Sequence, residues 1–282
     1  MIIGDQFCHE LNNNLDAMLL RGRSMIALLS VALCSLTFIW SRQVFGMRGG
    51  LLSLVLCALS PTILAHGRLI TSDTCYTLFL FLALWNGVKV LERVTLGRLL
   101  LSSLCTAGLF LSKMSGPLVL PMAFWIILVR LFSNEPLDIV LHRRSIALSN
   151  RSLRLIAITM IVLVHAIVGF TVLWGAYGFR YSAFKEHENS SARFNFYGGT
   201  LDSITEKAGS GGKIIRRFGE YKLLPEAYLY GSSVVLAARN RNAFLSGRYG
   251  QGWGGFFPYC FLVKITASII WIAIRLICCV VL

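Results

Sequence analysis

Seven runs of apolar residues, six of them between Met25 and Trp174 and one from Phe256 to the end, dictate what this chain can fold into. They are Met25 to Trp40, Leu51 to Leu64, Thr74 to Val90, Leu99 to Leu111, Pro117 to Leu131, Leu155 to Trp174 and Phe256 onward. A helix crosses a hydrocarbon core of about 30 Å with roughly 17 to 25 such residues. The runs lack the alternation that a membrane β-barrel would impose. Only 14% of the residues are charged, against about 25% in a soluble domain. The sequence therefore predicts an all-α polytopic membrane protein with about seven transmembrane helices. Several runs are shorter than about 20 residues, so these helices either borrow uncharged flanks or do not cross squarely.

Short loops carry the orientation signal, because Lys and Arg favour the cytoplasmic side. One side collects Arg42, Arg48, Lys89, Arg93, Arg98, Arg130, Arg143, Arg144, Arg151 and Arg154; the other holds Arg21, Arg23, Arg68 and Lys113. The first side is read as cytoplasmic, which places the N-terminus and the stretch after Trp174 outside. The formal charge of +14 then reports topology, and no soluble basic face for nucleic acid is evident. The start, MIIGDQFCHELNNNLDA, is not a signal peptide, yet falls on the outer side. A preceding helix is expected, and hence an N-terminally truncated chain.

Other candidate chemistry is better explained by structure. The eight cysteines show no CxxC spacing and lie mostly in apolar runs, as packing residues rather than zinc ligands. His165 is expected to be hydrogen-bonded rather than metal-bound. AGSGGK, residues 208–213, fails the GxxxxGK[ST] pattern and reads as a flexible turn. SNEPLDIVLHRRSIALSNRSLR, residues 133–154, reads as a basic connector anchored to anionic headgroups. The segment from Pro225 to Ala238 is read as an amphipathic helix, followed by Trp253, Phe256, Phe257 and Tyr259 at the water–lipid boundary. Asn189 opens an N-x-S sequon.

One polar cluster stands out. SPTILAHGRLITSD sets His66, Arg68 and Asp73 between two apolar runs, at the outer boundary on this topology. Arginine offers a rigid fork suited to phosphate, histidine exchanges a proton near neutral pH, and Asp73 can cap the next helix while orienting Arg68 or a hydroxyl. Lys113 and Arg180 reach the same outer face from other segments. Three cations and one acid at one mouth suit an anionic lipid headgroup, although an ordinary structural Arg–Asp loop is the competing explanation.

SPTILAHGRLITSDTCYTLFLFLALW, GLFLSKMSGPLVLP, YGFRYS, LPEAYLYG and GWGGFFPYCFLVK, in that order, resemble the landmarks of membrane glycosyltransferases related to protein O-mannosyltransferases and aminoarabinose transferases. These are the family 39-like members of the GT-C fold. The resemblance implies a GT-C-like helical bundle with one long outer loop. It also implies inverting transfer of a sugar from a polyprenyl-phosphate donor to a protein, lipid or glycan acceptor at the extracytoplasmic face. The membrane would be a plasma or inner membrane, or the endoplasmic reticulum of a eukaryote. Arg68 and Asp73 match the family's Arg-x-x-x-x-Asp, and Lys113 its Ser-Lys. Arg68, Lys113 and Arg180 are accordingly expected to bind the donor phosphate, with His66 and Asp73 as positioning residues.

The family's acidic base lies in a first outer loop. The expectation is that it precedes Met1, since no motif makes Asp5, Glu10 or Asp16 that base, and that further helices follow the last one here. The resemblance makes no cofactor certain, leaves a divalent metal open and identifies no metal ligand. The expected division is 1–23 as a remnant of the first outer loop, 24–175 as a six-helix transmembrane region, 176–255 as an extracytoplasmic loop segment and 256–282 as the last transmembrane helix. Whether a chain truncated at both ends turns over stays open. A lipid-phosphate-binding transporter and a noncatalytic remnant or subunit are the alternatives. The first predicts polar or broken helices at mid-membrane, where the runs, apart from His165 and Arg275, are nearly clean.

Overall fold

A computed structural model describes residues 7, 13–141, 144–182, 201–238, 242–251 and 255–264. Asp5, Glu10, Arg143, Asn189, Trp253 and Arg275 lie outside them. The chain divides into two units, Met1–Phe81 with Phe257–Leu282, and Leu82–Phe256. The described residues are mostly helical. Among the described residues three helices are long and apolar enough to cross a membrane, Leu15–Ala58, Ser72–Glu92 and Arg151–Ala176, and two shorter apolar ones are Leu96–Ser112 and Gly116–Phe132.

In the first unit α1, Leu15–Ala58, starts at Asn14, whose side chain accepts a hydrogen bond from the Ala17 N–H. It contains the first predicted run and the start of the second, and it bends at Gly46, where φ is 72° and ψ is −173°. A side chain resists that conformation and glycine does not. The limbs on either side fold back on each other through small and polar residues. Ser41 Oγ donates to the Gly49 carbonyl at 3.1 Å and lies 2.7 Å from Ser53 Oγ, while Cys34 Sγ meets Cys57 Sγ at 3.5 Å. Small residues let helix backbones approach, and hydrogen bonds hold them where water is absent.

The predicted run Leu51 to Leu64 is not one helix. It stops at Ala58 and resumes as α2, Pro61–His66. Proline pushes its predecessor out of the helical region, and Ser60 is accordingly extended, with φ −61° and ψ 124°. After α2 a turn leads into α3, Ser72–Glu92. Trp40 packs edge-on against Phe81 of α3, with ring centroids 5.0 Å apart.

The second unit continues with β1, Arg93–Thr95, α4, Leu96–Ser112, a 3₁₀ turn at Gly116–Leu118 and α5, Val119–Phe132. Then come β2, Leu137–Leu141, β3, Arg144–Leu148, and α6, Arg151–Ala176. Strand β2 pairs in parallel with β1 and antiparallel with β3. The basic connector therefore contains a sheet rather than a plain loop. Its Arg154 serves a backbone carbonyl, which corrects the headgroup reading for that residue, and Arg130 of α5 is engaged in the same way. Arg130 Nε and an Nη donate to the Leu91 and Pro136 carbonyls at 2.8 and 2.7 Å, and the buried Arg154 donates to the Ser133 carbonyl at 2.6 Å.

Val90, Leu91, Leu137, Ile158 and Ile161 form the core here, and α4 packs along α6. His165 of α6 bonds to the Ile161 carbonyl through Nδ1 at 2.8 Å and to Ser102 Oγ of α4 through Nε2 at 2.9 Å. A carbonyl only accepts, so Nδ1 carries the proton and Nε2 accepts from the serine. His165 is thus hydrogen-bonded, as expected from the sequence.

The segment from 201 to 251 holds α7, Leu201–Lys207, α8, Gly209–Glu220, and α9, Glu226–Ala237, followed by the hairpin β4, Asn242–Leu245, and β5, Arg248–Gln251. Helix α10 is Phe256–Lys264. The helix predicted after Pro225 is α9, and it buries Tyr228, Leu229, Tyr230 and Ser233. AGSGGK is not a flexible turn, because Gly209 onward is helical. Packing overrides the poor helix propensity of glycine: a Cβ on Gly212 would lie 1.8 Å from the Thr205 carbonyl oxygen. Gly212→Ala is expected to destabilise this segment by about 1–3 kcal/mol, the cost of overpacking. Faster limited proteolysis within residues 201–238 would show it, and an unchanged cleavage rate would contradict the packing argument.

Candidate functional site

The turn between α2 and α3 approaches α1 through two glycines. A Cβ on Gly67 would fall 2.7 Å from Ser30 Oγ and 2.8 Å from the Ile63 carbonyl oxygen, and one on Gly22 would fall 2.5 Å from Ile70 Cδ1. Backbone therefore stands where other residues would hold side chains apart. Gly67 donates its N–H to the Ile63 carbonyl at 2.8 Å, which closes α2 and turns the chain.

That turn displays the predicted cluster. His66 Nδ1 is shielded from solvent and lies 3.6 Å from Asp73 Oδ2 in the first turn of α3. The separation is too long for a hydrogen bond and short enough for Coulomb attraction when the imidazole is charged. Thr74 Oγ1 donates to the His66 carbonyl at 3.3 Å, tying the start of α3 back to the end of α2. Arg68 is exposed and lines an open recess of about 440 Å³ with Arg23, Ser24, Ala27, Gly67 and Leu69. Among the described residues neither Arg23 nor Arg68 has an ion pair or a side-chain hydrogen bond.

Lys113 and Arg180 belong to the second unit. Lys113 is half-buried and extended, with φ −159° and ψ 145°, at the end of α4. Its neighbour Met114 packs on Gly231 of α9 and accepts from Ser232 Oγ at 3.6 Å. Arg180 is exposed in a loop where Gly178 and Phe179 both have positive φ, 64° and 54°. Left-handed backbone is uncommon outside glycine. Here it lets the Phe179 N–H reach the Trp174 carbonyl at 2.8 Å and close α6. Arg180 lines a recess with Tyr177, Tyr181, Ser182 and Ala227. Ala227 and Gly231 are four residues apart, hence on one face of α9 and about 6 Å along its axis. The LPEAYLYG helix thus presents one small-residue face to both the Lys113 turn and the Arg180 loop.

Residues 13–141 match the family of dolichyl-phosphate-mannose-protein mannosyltransferases. The chain is similar to this family over 129 of its 282 residues, just under half. With its apolar helices, it is an integral membrane protein. No curated protein and no solved structure matches the chain.

The matched segment includes Arg23, His66, Arg68, Asp73 and Lys113, and ends before Arg180. Sequence reasoning passed over Arg23, which it counted only towards topology. The Gly-Arg pair that Arg23 shares with Arg68 gives little signal, because Gly97–Arg98 and Gly247–Arg248 repeat it. Among the described residues no group of three or more His, Cys, Asp and Glu side chains is gathered as for a metal ion.

Tyr181 secures the Arg180 loop. Its hydroxyl donates to the Gly219 carbonyl at 3.1 Å, its carbonyl accepts from the Glu226 N–H at 3.0 Å, and Ser182 Oγ donates to Glu226 Oε2 at 3.3 Å. Burial, then the negative charges of Glu226 and Asp202, push the Tyr181 phenol above its ordinary value. Burial raises Tyr228 as well. An unfolded tyrosine ionises near about pH 10 while the folded one keeps its proton. The resulting stability is complete below that pH and is lost as pH rises through the folded values. Thermal unfolding in detergent should therefore weaken above about pH 10, and Tyr181→Phe should flatten part of that decline. At neutral pH the same change should cost about 1 kcal/mol.

Proposed function

We propose that the chain is a membrane glycosyltransferase that moves a sugar from a polyprenyl-phosphate donor to an acceptor on the extracytoplasmic face. The observation that carries the reading is Arg68, exposed on a recess beside the His66–Asp73 pair within the matched segment. In this reading Arg68 holds the donor phosphate, because a guanidinium fork pairs two phosphate oxygens at once. As the bond to the anomeric carbon breaks, negative charge grows on the leaving phosphate, and a cation already in place stabilises that charge most in the transition state.

Lys113 and Arg180 are proposed as further donor ligands, supported by their shared neighbour α9. Asp73 and His66 position the turn: the carboxylate sits at the start of α3, where the helix dipole favours negative charge, and the imidazole lies 3.6 Å from it. No acid is assigned as general base. The seven-helix topology and the outward orientation belong to the same proposal and are supported by the distribution of Lys and Arg.

Arg68→Ala should lower sugar transfer from a polyprenyl-phosphate sugar by about a hundredfold or more, the usual effect of removing one donor to a developing anion. Membranes containing the full chain and a radiolabelled donor would measure it. Unchanged transfer would overturn the assignment of Arg68. Donor binding without any transfer would make the chain a lipid-phosphate-binding protein rather than a transferase.

A further inference from the structure

Arg23 and Arg68 come from distant parts of the sequence and line one recess. Two arginines that line one recess carry like charge, which an anion between them would offset, and among the described residues no carboxylate pairs with either. Ser24 contributes no competing donor, because its hydroxyl already donates to the Leu20 carbonyl at 2.8 Å. The glycines that precede the arginines, Gly22 and Gly67, are the two positions at which a Cβ would collide across the α1–turn contact. The packing that brings the backbones together is thus the same packing that brings the arginines to one place.

The surroundings indicate what kind of anion fits. Ala27 and Leu69 complete the lining, and Leu20, Leu64, Leu69 and Ile70 are exposed apolar side chains of α1, α2 and the turn. A free phosphate has no use for that apolar margin, whereas a phosphate carried on a hydrocarbon chain has. We propose that Arg23 is a second phosphate-binding residue, forming with Arg68 a two-arginine clamp for a phosphate group borne by an isoprenoid-like lipid. This rests on the assignment of Arg68 to phosphate and adds to it a residue that topology alone had explained.

The test uses the full chain in detergent micelles, titrated with farnesyl phosphate, farnesol and inorganic phosphate, with binding read by thermal shift and intrinsic fluorescence. Arg23→Gln should weaken farnesyl phosphate about tenfold or more, as for a lost charge-assisted pair. Arg23→Lys should lose less, and Arg68→Gln should lose a similar amount. The double variant should fall short of the product of the two single effects, because both residues hold one group. Arg21→Gln removes the same charge from the same helix but does not line the recess, and should stay within about twofold. Elution volume and helical content check the fold of each variant, and binding retained by Arg23→Lys separates loss of the fork from loss of structure.

A loss with Arg68→Gln but none with Arg23→Gln would overturn the clamp and leave the reading of Arg68 intact. No loss with either would overturn both. An equal loss with Arg21→Gln would reduce the effect to general charge and overturn the clamp. Inorganic phosphate binding as tightly as farnesyl phosphate would overturn the lipid source.

Discussion

Gly67 lies so close to Ser30 that any side chain would strike its hydroxyl, and Gly22 lies just as close to Ile70. Much of the first unit depends on these two contacts. They dock the turn after α2 on the first limb of α1, which places Arg23 and Arg68 on one recess and leaves His66 near Asp73. The rest of that unit is compatible with such closeness. The fold-back of α1 at Gly46 is sealed by serine, cysteine and glycine, which bring backbones together where larger residues would separate them.

The arginines of this protein divide by what they meet. Arg130 and Arg154 donate to carbonyls between α5 and β2, and Arg130 also to that of Leu91 at the end of α3. Such groups are costly when left without partners, so these guanidinium groups serve the fold. Arg23 and Arg68 find no such carbonyls among the described residues. Composition and topology counts treat all four alike, and only their surroundings separate a structural cation from one available to a ligand.

That division marks how much could be read in advance. Apolar length predicted the helices of α3, α4, α5 and α6 to within a few residues, because a run free of charges has few other uses. The cluster His66, Arg68 and Asp73 was visible because its members are close in sequence. Arg23 was not, since its relation to Arg68 exists only after α1 and the turn have docked. The break at Ser60 could have been anticipated from Pro61, but the apolar residues on both sides masked it. In 208–213 glycine content argued for a turn, yet close packing on α7 selected a helix. The strands β2 and β3 escaped notice because basic residues dominate the impression of their connector, while the apolar Leu137 and Ile139 occupy alternate positions within it.

The bond between His165 and Ser102 bears on what the bundle can do. Proton-coupled transport needs a group that takes a proton on one side and passes it on at the other. Each ring nitrogen of His165 is already committed, one delivering its hydrogen to Ile161 of its own helix and the other receiving that of a buried serine on α4. As it stands the imidazole is a rivet between two helices and not a stepping stone for protons.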